Sequence, residues 1–585
     1  MVLQRGGAAV VTGRASAPVV ARVGSRRFTA KTRAGQFTLK LNLPAGGPYT
    51  ITLEAGKAKL VVKDVLVGDV WICAGQSNMQ GVGWLRHADK PMARVRAFYM
   101  DDRWAVAKDS IHNMWDSVDE VHALLNGGTR LEKPKYWGVG PAVAFGQEML
   151  RRTGVPQGLL ACAHGGTSMA QWSPEKKSEG SKSLYGAMVR RVAKNGGRVA
   201  GLIWYQGESD TNAPDVAAVY SEKMRQFVSA VRQDLRSPRL PVALVQIGRY
   251  VNQWGGGEFW NSIQDQQRRL PRTIPQLTVV PAVDLPLDDA IHVGGTGLTQ
   301  LGQRLAEAMH VLRGGKGARP PLAFKRAYVV QDKDSTFGNV VVEFDNVTGK
   351  LVSGSRPTGF SLVEREGIFD TVLDGNKVLL RTFLPVPDLQ KLRLVYGAGT
   401  NPYCNILDQN NRALPVFGPV NIGKPIALTG FAKPRVTSLL PGAGKLEGLT
   451  LPVNPTWRVK PFLKDFCDLH DELGAVNGED KLVYFTCELN VGEPMKLAAL
   501  LGYDGPVKLW VDGRELFYDP NGTNPGIVDA KQIKFAAAPG KHQVIIALGS
   551  NHGKAWGIYL RFQRLDVSPA KLRQNAEAYR LPEIS

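Results

Sequence analysis

Three serines in this chain sit in glycine-bearing turns that follow apolar runs, a setting in which a strand end can present a hydroxyl to a substrate. Ser77 lies in G-Q-S-N-M after the run DVWICA. Ser168 lies in Gly166-Thr167-Ser168-Met169-Ala170, close to the Gly-x-Ser-x-Gly nucleophile elbow with alanine in the last place, and Ser209 lies in Gly207-Glu208-Ser209-Asp210-Thr211. A serine after a strand is ordinarily a turn residue, so type and place alone carry little. Ser77 gains weight from Asp289 and His292, which follow the run TVVPAVDL and precede a helical pattern. Three-residue spacing in a turn lets the Asp289 carboxylate reach His292 Nδ1 and leaves Nε2 to take a serine proton, which is the apparatus of acyl transfer. His112, His122 and His310 read as structural or exposed. No cluster has metal-ligand spacing, so neither a metal nor a cofactor is expected.

To converge, these residues must occupy the ends of strands in one sheet. From KDVLVGDVWICAGQSNM onward, compact apolar runs (DVWICA, QGLLACA, VAGLIWYQ, PVALVQI, TVVPAVDL) alternate with helical patterns such as PAVAFGQEMLRRTG and VAAVYSEKMRQFVSAVRQDL. Buried runs separated by amphipathic helices predict a parallel sheet with helices on both faces, whose carboxyl edge collects active sites. The first of those helices should stop at Gly154 and Pro156, after Arg151 and Arg152 in its last turn. The last should run from about Thr296 to Leu312, with GGKGARPP as a linker after it.

On either side the texture is that of β structure. Residues 1–66 read as short alternating strands with Gly and Pro turns, an N-terminal β domain of sandwich type. An α/β domain then spans 67–315, and a further β domain spans 322–420. TGFAKPRVTSLLPGAGKLEG reads as a connection into a C-terminal jelly-roll-like β-sandwich with its tail, 425–585, in which VKLWVDG and HQVIIALG alternate as half-buried strands do. From Ser568 the tail reads as a short polar helix.

Composition bounds the rest. The 585 residues are 43% hydrophobic and 21% charged, globular values for a chain too long for one core. The formal charge is +21, and residues 1–60 carry ten basic side chains against Glu54 alone. Those charges interrupt alternating runs such as FTLKLNL, so they read as a solvated face, and no nucleic-acid partner is expected. Five cysteines are too few for a disulfide scaffold, although a bridge between Cys467 and Cys487 stays open. No apolar run approaches a membrane span, and the first residues lack the core of a signal peptide. The expected location is cytoplasmic, or secreted or periplasmic if a leader precedes this numbering.

Ser77, Gly166, Gln206 and His292 occur in the order serine, glycine, amide, histidine of the SGNH-type hydrolases. The chain resembles the sialate O-acetylesterase family of carbohydrate acetylesterases through MVLQR, GGPYTITL, KDVLVGDVWICAGQSNMQ, AHGGTSMAQW, GLIWYQGESD and DDAIHVGGTGLTQLGQRLA, and onward to NPYCNILDQNNRALPVFG. The resemblance implies a flavodoxin-like SGNH hydrolase domain that removes O-acetyl groups from a carbohydrate through an acyl-enzyme. It makes Ser77 the nucleophile and His292 its base. It implies an oxyanion hole built from the Ser77 N–H, Gly165 or Gly166, and a side-chain amide, here Gln206. Such preorganised donors are what a tetrahedral intermediate requires.

The chain departs from the SGNH pattern where W-Y-Q-G-E replaces Gly-x-Asn-Asp. In related acetylesterases the Glu of Q-G-E is the acid behind histidine, so Glu208 rivals Asp289; one turn holds Asp289 and His292 together, which favours Asp289. His164 stands where relatives often carry Trp. Trp172 either stacks on a sugar ring or belongs to the core. The substrate is expected to be acetylated sialic acid or an acetylated polysaccharide. The alternative is a non-catalytic carbohydrate-binding or cell-surface scaffold, since much of the chain is β accessory material. Oligomeric state is not legible.

Overall fold

The runs that read as buried strands form one sheet. In the computed structural model, which describes residues 1–331, 337–427, 431–432, 436–443, 446–451, 456–461, 466–473, 481–566 and 581–584, its strands are β1 (Ala58–Gly75), β3 (Val95–Phe98), β4 (Trp104–Val106), β6 (Gln157–Ala161), β7 (Gly201–Tyr205), β8 (Val242–Gln246) and β9 (Leu277–Pro281). A separate two-stranded ribbon pairs β2 (Gly83–Trp84) with β5 (Trp137–Val139). The sheet order is β4-β3-β6-β1-β7-β8-β9; every neighbouring pair is parallel except β3 with the edge strand β4. Every residue of β6, β7 and β8 is buried. Helices on both faces leave no solvated side, so these strands are continuously apolar.

Helices that accompany the sheet include α1 (Ser77–Gln80), α2 (Pro141–Thr153), α3 (Leu184–Lys194), α4 (Tyr220–Asp234), α5 (Trp260–Arg269) and α6 (Gly295–Leu312). Helix α2 starts on Pro141, buries Val143, Phe145 and Met149, and stops where Gly154 turns left-handed (φ 67°) and returns its N–H to Leu150 O at 2.8 Å. Only glycine takes that turn without strain, so the basic last turn and the glycine end the helix where the sequence places its stop. Helices α2 and α6 lie so close that a Cβ on Gly302 would stand 2.4 Å from Pro141 O.

The boundary expected at residue 66 falls inside a strand. The first part of β1 pairs antiparallel with Gly46–Ala55, and its last residues run through the middle of the parallel sheet. Val2–Gln4 pairs alongside it at Leu66–Gly68, so four N-terminal strands (Val2–Gln4, Val19–Val23, Arg26–Ala30 and Gly46–Ala55) join the α/β sheet in one 11-stranded sheet, while Ala9–Arg14, Thr32–Arg33 and Gln36–Leu41 form a separate three-stranded one. The β region after α6 belongs to the same compact unit, residues 1–329 with 338–424. It is fastened by Gln246, which donates through Nε2 to Val416 O and accepts from Val416 N, both at 2.9 Å.

The second compact unit comprises 330–337 and 425–585. It contains two sheets, of five and seven strands, with antiparallel pairing throughout the described ladders. Their side chains, among them Leu489, Leu501, Leu509, Ile546 and Phe562, share one core. The segment expected as a connection contains the strand Val436–Ala443, in which Ser438–Ala443 pairs antiparallel with Lys481–Thr486. Cys467 and Cys487 are buried free thiols, so the bridge left open between them is not formed. The helix read from Ser568 lies outside the described residues. Among the described residues no helix is long and apolar enough to cross a membrane.

Candidate active site

Three adjacent strands, β6, β1 and β7, end side by side, with Tyr205 in register with Gly75 and Ala161 with Cys73. The turns that follow are stitched together by their backbones: Gln76 N donates to Tyr205 O at 2.8 Å and His164 N to Gly75 O at 3.1 Å. Gly75 has φ 137°, and a Cβ there would stand 2.1 Å from Tyr205 O, so no side chain fits. The chain leaves β1 through this glycine and begins α1 at Ser77, which is half-buried at the carboxyl edge of the sheet.

The amides around Ser77 bind the other segments to it. One residue before, Gln76 Oε1 accepts from Gly207 N (3.4 Å) and Ser209 N (3.3 Å). One residue after, Asn78 Nδ2 donates to Glu208 Oε1 and Asn78 Oδ1 accepts from Val293 N, both at 2.9 Å. Three residues after, Gln80 Oε1 accepts from Gly165 N at 2.8 Å. All three amides are buried. The sequence reading missed them, although three amides among the five residues 76–80 are a visible signal.

His292 and Asp289 meet as their spacing predicts. Asp289 Oδ2 lies 2.6 Å from His292 Nδ1, while Oδ1 accepts from the N–H groups of Ile291 (2.8 Å) and His292 (2.7 Å). Burial pushes the Asp289 carboxyl up, but these bonds outweigh it and hold the group at about 2, so it is ionised at neutral pH. His292 Nε2 has no protein partner among the described residues. Glu208 is in a different state: burial raises its pKa, the Asn78 bond offsets that only in part, and its Oε2 is unpartnered. Glu208 makes no hydrogen bond to His292; it reaches the histidine loop through Asn78.

Two expected donors are corrected. Gln206 is fully buried, and its Nε2 is spent on Thr167 O (3.0 Å) and on Asp210, so it offers nothing to an oxyanion. Its side chain points back under the turn because Asp210, four residues on, draws the amide inward. Gly165 has given its N–H to Gln80, and it packs against Ser77, where a Cβ would stand 3.3 Å from Ser77 Cβ. The Ser77 and Gly166 N–H groups have no protein acceptor among the described residues, and Gly166 is exposed with φ 67°.

Of the two readings of Trp172 the structure takes the core one, so it is not a substrate-binding residue: it is fully buried, donates Nε1–H to Thr167 Oγ1 at 3.0 Å and packs edge-on to Trp204 and Phe227, out of reach of any sugar. Ser168 donates both its N–H and its hydroxyl to Gln171 Oε1, as a turn residue does. His164 turns inward, with its Nδ1 2.8 Å from His122 Nδ1. Among the described residues no three His, Cys, Asp or Glu side chains converge as metal ligands.

Residues 67–311, which hold all of this geometry, match the model of a carbohydrate esterase family described as sialic acid-specific acetylesterase. This segment is similar to that family. Relatives agree with it. A "probable carbohydrate esterase" of Arabidopsis thaliana is 29% identical over 261 residues, 41% of this chain and 89% of that protein. Human sialate O-acetylesterase is 28% identical over 200 residues, 28% of this chain and 37% of that protein, so the match spans little more than a third of the human enzyme. Among solved structures, a carbohydrate acetylesterase from Xanthomonas citri superposes with a TM-score of 0.55 at 25% identity, covering 71% of this chain and 96% of that one. The matched segment ends with α6, and the Xanthomonas likeness extends well beyond its length.

Proposed function

We propose that the first unit is a serine-dependent carbohydrate O-acetylesterase. The observation that carries this reading is the Asp289–His292 pair fastened to the Ser77 turn through Asn78 and Val293. Ser77 Oγ attacks the acetyl carbonyl while His292 Nε2 takes its proton. Ionised Asp289 holds the imidazole by Nδ1 and favours the imidazolium that forms. The Ser77 and Gly166 N–H groups are the donors for the developing oxyanion. His292 returns the proton to the departing sugar oxygen, leaving acetyl-Ser77. Water, deprotonated by the same imidazole, then releases acetate.

The strand order supports the SGNH-type, flavodoxin-like reading. Numbered along the chain, β6-β1-β7-β8-β9 runs 2-1-3-4-5, and β3 and β4 are additions at one edge. The family match and the Xanthomonas enzyme support an acetylated carbohydrate as substrate. Release of acetate from 4-nitrophenyl acetate and from acetylated glycans tests the reading. Turnover abolished by Ser77→Ala is the expected result; carbohydrate binding without acetate release would instead make the protein a scaffold.

A further inference from the structure

With Trp172 buried, the aromatic surface of the esterase segment lies elsewhere. Trp84 and Trp137 are cross-strand partners in the β2/β5 ribbon, and each is 37% exposed. Directly opposed residues of an antiparallel pair project to the same face, so the two indoles share one side of the ribbon.

The ribbon is wedged between the two halves of the site. On the Ser77 side, Gly81 closes α1 by returning its N–H to Ser77 O at 2.9 Å, and a Cβ on Gly81 would stand 2.6 Å from Gly138 O, in the strand that carries Trp137. On the His292 side, Asp288 Oδ2 accepts from Trp84 N (2.9 Å) and from Gly295 N (3.0 Å), while Asp288 N donates to His292 O at 3.0 Å. The two tryptophans are thus held by the same segments that hold nucleophile and base. Arg86 lies 5.5 Å from the Trp84 ring. Its only hydrogen bond among the described residues is to its neighbour His87.

We propose that Trp84 and Trp137, with Arg86, form a stacking subsite for a pyranose ring next to the acetylated residue of an oligosaccharide; the inference rests on the esterase reading above. A pyranose presents C–H faces and a polar edge, and a partly exposed indole offers the matching π face, whose negative potential complements polarised C–H groups. Arg86 supplies donors to ring hydroxyls or, in an acidic sugar, to a carboxylate.

The test uses the full chain carrying Ser77→Ala, so that ligand persists, titrated calorimetrically with partially acetylated xylo-oligosaccharides and, separately, with O-acetylated sialyl-lactose. Adding Trp84→Ala or Trp137→Ala should weaken binding at least tenfold, and Trp84→Phe should restore most of the loss. Arg86→Met should weaken the sialylated ligand more than the neutral one. In the chain with Ser77 intact, the tryptophan variants should lower kcat/KM on the oligosaccharide, through KM, at least tenfold more than on 4-nitrophenyl acetate. Unchanged affinity in folded variants, or no binding of either ligand by the Ser77→Ala chain, would overturn the subsite. Absence of any 4-nitrophenyl acetate turnover by the unsubstituted chain would sink the esterase reading instead, while the titration still decides the subsite.

Discussion

Asn78 Oδ1 accepts the N–H of Val293 at 2.9 Å, so the residue after Ser77 is fixed to the residue after His292. Two turns more than 200 residues apart in sequence are thereby set by one amide. The other end of that amide donates to Glu208. Asn78→Ala should lower kcat by about 10²-fold with a smaller change in KM, because small misplacements of reacting groups cost about that much. Asn78→Asp should do more harm, since it places a second carboxylate against buried Glu208. Steady-state kinetics on 4-nitrophenyl acetate, with circular dichroism of each variant, checks both.

The two acids should separate cleanly. Asp289→Asn leaves His292 Nδ1 facing an amide and should lower kcat by about 10⁴, by analogy with a triad whose histidine is held in the wrong tautomer. Glu208→Gln keeps an oxygen able to accept from Asn78 and should lower it far less. Parallel kinetics on the two variants reads the difference; a larger loss for Glu208→Gln would make Glu208 the acid behind histidine.

Gly165→Ala brings a methyl group to 2.9 Å from Gln80 Oε1 and 3.3 Å from Ser77 Cβ. It should displace Ser77 and lower kcat at least tenfold while KM changes less. Gly166→Ala meets open space and keeps its N–H, so its effect should be that of a left-handed alanine, about 1 kcal/mol of stability. Gln206→Ala removes a donor from buried Asp210 and should lower the melting temperature. The kcat of the remaining folded Gln206→Ala protein should stay within tenfold of the parent's. A loss of 10² to 10³ in kcat at unchanged stability would return Gln206 to the oxyanion hole.

His122 and His164 are a buried pair joined through their Nδ1 atoms, and burial pushes both down, His164 to about 4. In the unfolded chain they titrate near 6.5. Between these values the unfolded chain binds more protons than the folded one, so stability from this pair is fully present above about pH 6.5 and is lost as pH falls toward 4. Melting temperatures measured from pH 7 to pH 4 should fall through that window, and His164→Phe should flatten the fall.

The sheet and helices α2 and α6 were legible because burial on both faces writes continuous apolar runs and helix ends write proline, basic residues and glycine. The pairing of Asp289 with His292 was legible because both lie in one turn. The boundary at residue 66 was not, since β1 serves an antiparallel region and a parallel sheet with one unbroken strand. Gln206 was misplaced and Trp172 left undecided for a related reason: a motif tells which turn a side chain occupies, and the direction it takes depends on partners such as Asp210 or Trp204 that the motif does not name. Asn78 was overlooked because its role is to join two turns, and its partner Val293 contributes only backbone.

The most direct test of the account is where an organophosphate acylation mimic lands. Diisopropyl fluorophosphate reacts with serines activated by a histidine base and an oxyanion hole, and the labelled peptide can be mapped by mass spectrometry. The account predicts one equivalent on Ser77, strong slowing in Asp289→Asn, and no label in Ser77→Ala. Stoichiometric label on Ser168, or Ser77 left unmodified while the protein hydrolyses esters, would contradict it.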